Sequence, residues 1–173
     1  MFLDVWREKR IKRNLDEAIK SYSGATPTSC IKRIGLLIDT TVDVDVELLT
    51  EYIEGLRQHA RLATICYVRH VNKMGFHANS TFDNTAFNWQ GELNNAQVDF
   101  FLNQEYDLLI SYYAEARPVL QFITAKASAC LKVGFPSRSD HQLNDLTIDT
   151  KPENVTIFCS ELKNYLRILK RIE

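Results

Sequence analysis

A chain of 173 residues, 45% apolar and 25% charged, is long enough for one domain with a sizeable core and too short to suggest two. Its formal charge of −1 excludes a protein that coats nucleic acid or membrane with its whole surface, while leaving room for a local patch. No stretch of about 18 apolar residues exists to span a bilayer, and acidic residues interrupt the start, "MFLDVWREKRIKRN", where a signal peptide would be apolar, so the expected compartment is the cytoplasm.

Residues 2–22 place Phe2, Leu3, Trp6, Leu15, Ile19 and Tyr22 at helical spacing, with Arg7, Lys9, Arg10, Lys12 and Arg13 crowding the first half. This reads as a basic amphipathic helix, ended by the Ser23-Gly24-Ala25-Thr26-Pro27 linker. Residues 1–27 are therefore expected to form a helix and linker, and 28–173 a single α/β domain. "RIGLLID" (33–39) is an apolar run of strand length. After "TTVDVD", with Asp45 as the expected N-cap, Val46, Leu48, Leu49, Tyr52, Ile53 and Leu56 repeat at a helical period. "LATICYVRH" (62–70) is a second strand, which completes a βαβ pattern.

Residues 71–91 follow neither period but carry Phe76, Phe82, Phe87 and Trp89, which predicts an ordered aromatic loop packed over part of the domain. Residues 94–103 predict a short helix with Val98, Phe101 and Leu102 inward. "YDLLISYY" (106–113) is the third clear strand, and Pro118 opens the next helix at its first position, where a missing N–H costs nothing. "CLKVGF" (130–135) and the shorter "LTIDT" (146–150) predict a fourth strand and an edge strand. Val155, Phe158, Cys159, Leu162, Tyr165, Leu166 and Leu169 line one side of a closing helix. The order predicts a three-layer α/β fold: a mainly parallel, doubly wound, Rossmann-like sheet with helices on both faces. The four cysteines have no paired spacing and mostly sit in apolar runs, so they read as reduced thiols.

"KRIGLLID", "NWQG", "YDLLISYY", "LKVGFPS", "LNDLTIDT" and the final "ELKNYLRILKRI" together resemble an uncharacterised family of small cytoplasmic α/β proteins known from Bacteroidota genomes. That resemblance implies the fold class and supplies no catalytic residue. More locally, "YDLLISYY" with "AKASACLKVGF" is similar to a strand-helix-strand unit in the N-terminal half of heptosyltransferase-like glycosyltransferases. Those enzymes need a second Rossmann-like domain for the nucleotide-sugar, and this chain is too short to hold one.

The catalytic signatures sought do not appear. The turn after the first strand, Asp39 to Asp45, has three carboxylates and no glycine, so it is neither a dinucleotide fingerprint nor a P-loop. Asp39 at a strand end suits an oxygen-ligated cation. The later strand, however, ends in Tyr112-Tyr113 where a phosphoacceptor chemistry would need an Asp, and the turn reads as solvated with Asp45 capping. There is no G-x-S-x-G elbow, and His59, His70, His77 and His141 share no ligand spacing. No metal or cofactor is expected.

Two places carry candidate binding residues. At the C-terminal ends of parallel strands Asp39, Thr40, Tyr112, Tyr113 and Ser137, with Trp89 of the aromatic loop, are candidates for a small ligand of the nucleotide or sugar-nucleotide class. Neighbouring strand residues face opposite ways, so at most one of the two tyrosines faces such a crevice. A tyrosine at a core boundary also buries its ring and wets its hydroxyl, and that reading is favoured. On the N-terminal helix, Arg7, Lys9, Arg10, Lys12 and Arg13 are candidates for docking on a protein, a ribosome or an anionic membrane, without sequence-specific recognition of nucleic acid. The resulting expectation is a non-catalytic binding or scaffolding protein, with an enzyme or ligand binder at the strand ends as the alternative.

Overall fold

The computed structural model describes residues 2–20, 31–56, 59–70, 80–136 and 143–172, with side chains from residue 7 onward. Phe2, Leu3 and Trp6 as side chains, the linker, His77, His141 and Ser137 lie outside that description. Six strands form one sheet in which every pairing is parallel: β1 (Arg33–Asp39), β2 (Arg61–Tyr67), β3 (Ser80–Phe82), β4 (Leu108–Tyr112), β5 (Lys132–Gly134) and β6 (Leu146–Thr147). Their order across the sheet is β3-β2-β1-β4-β5-β6. That is the order of the doubly wound dinucleotide-binding folds, with the winding reversing between β1 and β4.

Continuous burial explains why the central strands read as unbroken apolar runs: helices cover both faces, so neither face asks for polar residues. From Ile34 to Asp39 every residue of β1 is buried. On one face α2 (Val46–Glu54) and α5 (Val155–Ile168) insert Leu49, Ile53, Phe158 and Leu162 against Ile34, Leu36, Ile38 and Ile110. On the other, α3 (Ala96–Leu102) and α4 (Pro118–Lys126) set Val98, Phe101, Leu120 and Ile123 against Leu37, Ile65 and Leu109. Fully burying each such side chain contributes about 1.5–3 kcal/mol. The remaining helix, α1 (Phe2–Lys20), packs along α4, burying Ile11, Leu15 and Ala18.

The helix starts follow local chemistry. Asp45 accepts from the Leu48 amide at the start of α2, and Asn95 from the Gln97 and Val98 amides at the start of α3. Pro118 opens α4 as its first residue.

Several elements differ from the sequence expectation: Glu105–Tyr106 and Ser128–Ala129 pair in parallel as a separate two-stranded sheet, and the edge strand expected over 146–150 is confined to Leu146–Thr147. Part of the aperiodic 71–91 stretch is strand: Ser80–Phe82 pairs with Ile65–Tyr67 at the sheet edge. Three residues carry no readable period, and only the neighbouring strand makes them extended. β2 in turn ends at Tyr67 rather than running on to residue 70. From residue 83 to 91 the stretch buries Phe87, next to the buried Phe82 that closes the strand, and its Gly91 backbone lies against α1. Asn14 Nδ2 donates to the Gly91 carbonyl at 2.9 Å.

One apolar-looking strand holds a buried cation. Lys132 is 1% exposed, and its ammonium donates to the Thr124 and Ala125 carbonyls at 2.8 and 3.2 Å. These belong to the last turn of α4, where the helix dipole presents negative charge. Burial lowers the Lys132 pKa to about 8, against an opposing pull from Asp145. Among the described residues no helix is long and apolar enough to cross a membrane.

Candidate functional site

The reversal of winding between β1 and β4 opens the crevice where this topology usually binds ligands. Asp39 closes β1 there. Strand alternation turns its carboxylate toward the α4 layer, where it is 1% exposed. The Thr41 amide and hydroxyl donate to its Oδ1 at 2.9 and 2.6 Å, and Arg117 Nε donates to its Oδ2 at 2.9 Å. A buried carboxylate is thereby supplied with donors on both oxygens, in hydrogen bonds strengthened by its charge. Arg117 immediately precedes Pro118, so the start of α4 aims it back across the strand ends.

The guanidinium has further partners. Its Nη2 donates to Thr41 Oγ1 at 3.0 Å and to Glu115 Oε2 at 2.7 Å, and its central carbon lies 5.6 Å from the Tyr67 ring centre. Burial acts against the Arg117 charge, but the hydrogen bond and charge of Asp39, followed by Glu115, outweigh it and its pKa is raised. Tyr67 sits in register with Asp39 on the neighbouring strand and donates to Asn84 Oδ1 at 3.0 Å. Its pKa is raised, chiefly by burial, with Arg117 pulling the other way. Thr40 continues the β1–β2 ladder: its amide and hydroxyl both donate to the Tyr67 carbonyl, at 3.0 and 2.8 Å.

Beside this cluster lies a pocket of about 250 Å³ lined by Tyr67, Asn84, Glu115 and Arg117 from the strand ends and by Arg7 and Ile11 from α1. The N-terminal helix therefore forms one wall of the crevice. The volume falls just below the roughly 300–1,000 Å³ of ordinary ligand pockets. The Asp39 carboxylate, which the sequence marks as suited to a cation, already holds a cation of the protein's own. Among the described residues no three His, Cys, Asp or Glu side chains group as metal ligands.

The two tyrosines face opposite layers. Tyr112 is fully buried against Phe135 and Phe158, and its hydroxyl donates to the Pro152 carbonyl at 2.7 Å. Tyr113 points to the α4 side, where its hydroxyl lies 2.8 Å from Thr124 Oγ1, which is itself 2.9 Å from Ser111 Oγ. Both rings are core, and both hydroxyls are bonded within the protein rather than wetted. Burial pushes both pKa values far above the ordinary phenol range. Trp89 is 64% exposed and does not line the strand-end pocket.

Of the basic residues on α1, Arg7 is half-buried at the pocket, while Lys9, Arg10, Lys12 and Arg13 are exposed or nearly so. The structure thus gathers Asp39 and Thr40 with Tyr67, Asn84 and Arg117, three residues that the sequence reading passed over. A partial signal existed for Arg117 alone: an arginine directly before the helix-opening proline, just after an apolar strand; which strand end it meets is set by strand order. Cys66, Cys130 and Cys159 are free, and burial raises the Cys66 and Cys159 thiols to about 11 and 12, which keeps them protonated.

Compared with known proteins, residues 4–169 match the model of a family of unknown function (DUF6913). No curated protein and no solved structure matches the chain.

Proposed function

The chain belongs to this family of unknown function, and we propose that it is a non-catalytic binding protein of the cytoplasm that docks on a polyanionic surface, an RNA phosphate backbone such as the ribosome's, through α1. In this reading residues 1–27 are the docking element and 28–173 the domain that carries it. The supporting observation is how α1 is seated. Ile11, Leu15 and Ala18 are spent on packing against the domain, while Lys9, Arg10, Lys12 and Arg13 remain on the outer side. From residue 7 onward the buried stripe is unavailable for insertion into a bilayer, which an interfacial helix requires. What remains outward is a basic face on a fixed helix, suited to phosphates without reading base sequence.

The decisive experiment is binding of labelled single-stranded RNA and of purified ribosomes over a salt series. Four phosphate contacts imply an affinity loss of about a hundredfold between roughly 50 and 300 mM salt. A Lys9→Glu, Lys12→Glu, Arg13→Glu variant is expected to lose binding while its far-UV spectrum and melting stay unchanged. Binding to anionic vesicles but not to RNA overturns the choice of partner. Failure to bind either, with the protein folded, overturns docking through α1.

A second reading rests on the strand-end pocket, which lies at the reversal of a six-stranded parallel order and is lined by Arg117, Tyr67 and Asn84. It would take a small anionic ligand of the nucleotide or sugar-nucleotide class, in keeping with the local likeness to heptosyltransferase-like glycosyltransferases. A rise in melting temperature with one member of a nucleotide and sugar-nucleotide panel, lost in Arg117→Met, would favour it.

A further inference from the structure

The polar groups that line the strand-end pocket are oriented by bonds within the protein, and those bonds fix what each can offer a ligand. Arg117 Nε donates to Asp39 and its Nη2 to Thr41 and Glu115, whereas Nη1 has no acceptor among the described residues. Three hydrogen bonds hold the guanidinium plane, so this remaining nitrogen is a pre-set donor. Asn84 is fixed in the same way. Its Oδ1 accepts from the Tyr67 hydroxyl, which leaves Nδ2 as a donor without an acceptor among the described residues.

Acceptors come from the other contributors to the lining. Glu8 of α1 is exposed and makes no ion pair among the described residues, and Glu115 has one oxygen on Arg117 and is 63% exposed. Arg7, beside Glu8, has an interaction of its own within the protein. The pocket therefore combines fixed N–H donors with carboxylate oxygens.

Charge and size then select the class of ligand. Among the lining residues and the charges that act on Tyr67, three cations, Arg7, Arg69 and Arg117, stand against four carboxylates, Glu8, Asp39, Asp83 and Glu115. A ligand carrying several negative charges, as nucleotide phosphates do, meets no excess of positive charge here. A neutral sugar would engage the donors and leave the Glu8 charge without a counterion. A molecule with one carboxylate and one ammonium satisfies both kinds of group and adds no net charge. The volume of about 250 Å³ restricts it to a compact molecule.

We infer that the strand-end pocket binds a small zwitterion of the amino-acid class, with its carboxylate on Arg117 Nη1 and Asn84 Nδ2 and its ammonium toward Glu8 and Glu115. The inference rests on the second reading above in placing a ligand in this pocket, and it assigns that ligand a different class.

The test is titration of the full chain with the twenty free L-amino acids, each paired with its deaminated acid, followed through the side-chain N–H resonances of Asn84 and Arg117. Inorganic phosphate, AMP, UDP-glucose and glucose are separate probes. At least one amino acid is expected to shift both side chains and to bind about tenfold more tightly than its deaminated acid, which lacks the charge-assisted contact to the carboxylates. Glu8→Gln should reduce that preference while leaving the affinity for the deaminated acid unchanged, and Asn84→Asp should weaken both. Equal binding of an amino acid and its deaminated acid, or a preference that Glu8→Gln leaves intact, overturns the proposal. A response to phosphate, AMP, UDP-glucose or glucose with none to any amino acid overturns the class of ligand and leaves the second reading standing. No response of the folded protein to any probe overturns both.

Discussion

Asp39 and Arg117 stand 78 positions apart in the chain and meet at 2.9 Å, joining the end of the first strand to the start of the helix that follows the fourth. The pair spans the point where the winding of the sheet reverses, so it ties together the two halves of the fold. Asp39 is almost wholly buried, whereas the Arg117 side chain is 33% exposed. Removing the arginine therefore leaves a buried charge, and removing the aspartate leaves a cation that water can reach.

Arg117→Met is accordingly expected to cost about 2–3 kcal/mol, toward the lower end for breaking a buried pair because the arginine is partly solvated. Asp39→Asn should cost less, since Thr41 can still donate to the amide oxygen. The double variant should be more stable than the sum of the two losses predicts, as expected of residues in direct contact. Urea denaturation of the four proteins measures this. An Arg117→Met midpoint equal to wild type would mean that the carboxylate is stabilised by its threonine donors alone.

Gly91 has φ +78°, and a Cβ built on it would lie 2.7 Å from Arg10 Cβ on α1. Gly91→Ala therefore combines left-handed backbone strain, about 1–2 kcal/mol, with a clash against a helix. It should lower the melting temperature and speed amide exchange along α1 before exchange in the sheet. Gly55→Ala is the control: φ is −72° there, and the nearest atoms to an added Cβ are at 3.4 and 3.5 Å. That substitution should be neutral or stabilising by a few tenths of a kcal/mol up to about 1 kcal/mol.

Tyr112→Phe and Tyr113→Phe should each cost about 1 kcal/mol, the worth of one internal hydrogen bond. Their coupling to Thr124 differs, because the two rings lie on opposite faces of the sheet. Tyr113→Phe and Thr124→Val remove the same bond and should be non-additive, while Tyr112→Phe and Thr124→Val should add. Equal coupling of both tyrosines to Thr124 would contradict the facing assigned to them.

Stability should pass through a maximum in mildly alkaline solution. Lys132 has a folded pKa of about 8, below its usual 10.5, so between those values the unfolded chain binds the extra proton and stability rises with pH. Cys66 and Cys159 have folded values of about 11 and 12, above their usual 9.0, so from pH 9 the folded chain binds the extra protons and stability falls. Two thiols oppose one lysine, a net of one proton, or about 1.4 kcal/mol per pH unit between roughly pH 9 and 10. Above about pH 10 the buried Tyr106, Tyr112 and Tyr113, whose pKa values burial raises, steepen the fall. Urea midpoints at about pH 7.5, 8.5, 9.5 and 10.5 test the shape. Lys132→Met should remove the rise, and Cys159→Ala should shallow the fall.

The chain alone determines the layered fold, because its strongest signals are local. Apolar runs at 33–39 and 106–113 need cover on both sides, and Asp45, Pro118 and the stripe from Val155 to Leu166 punctuate and orient helices through nearest-neighbour chemistry. Tyr112 and Tyr113 had to face opposite ways for the same local reason. The edge strand β3 was not legible, since Ser80–Phe82 is extended only because β2 lies beside it. The burial of Lys132 within the apolar run 130–135 has no local signal, and only the last turn of α4 supplies the carbonyls that make it tolerable. The candidate site was half visible. Asp39 could be named from its place at a strand end, but its partner comes from a helix start 78 residues later, with Tyr67 and Asn84 from the other half of the sheet. Strand order decides which ends become neighbours, and pairing between strands so distant in the chain leaves no periodic trace within any one of them.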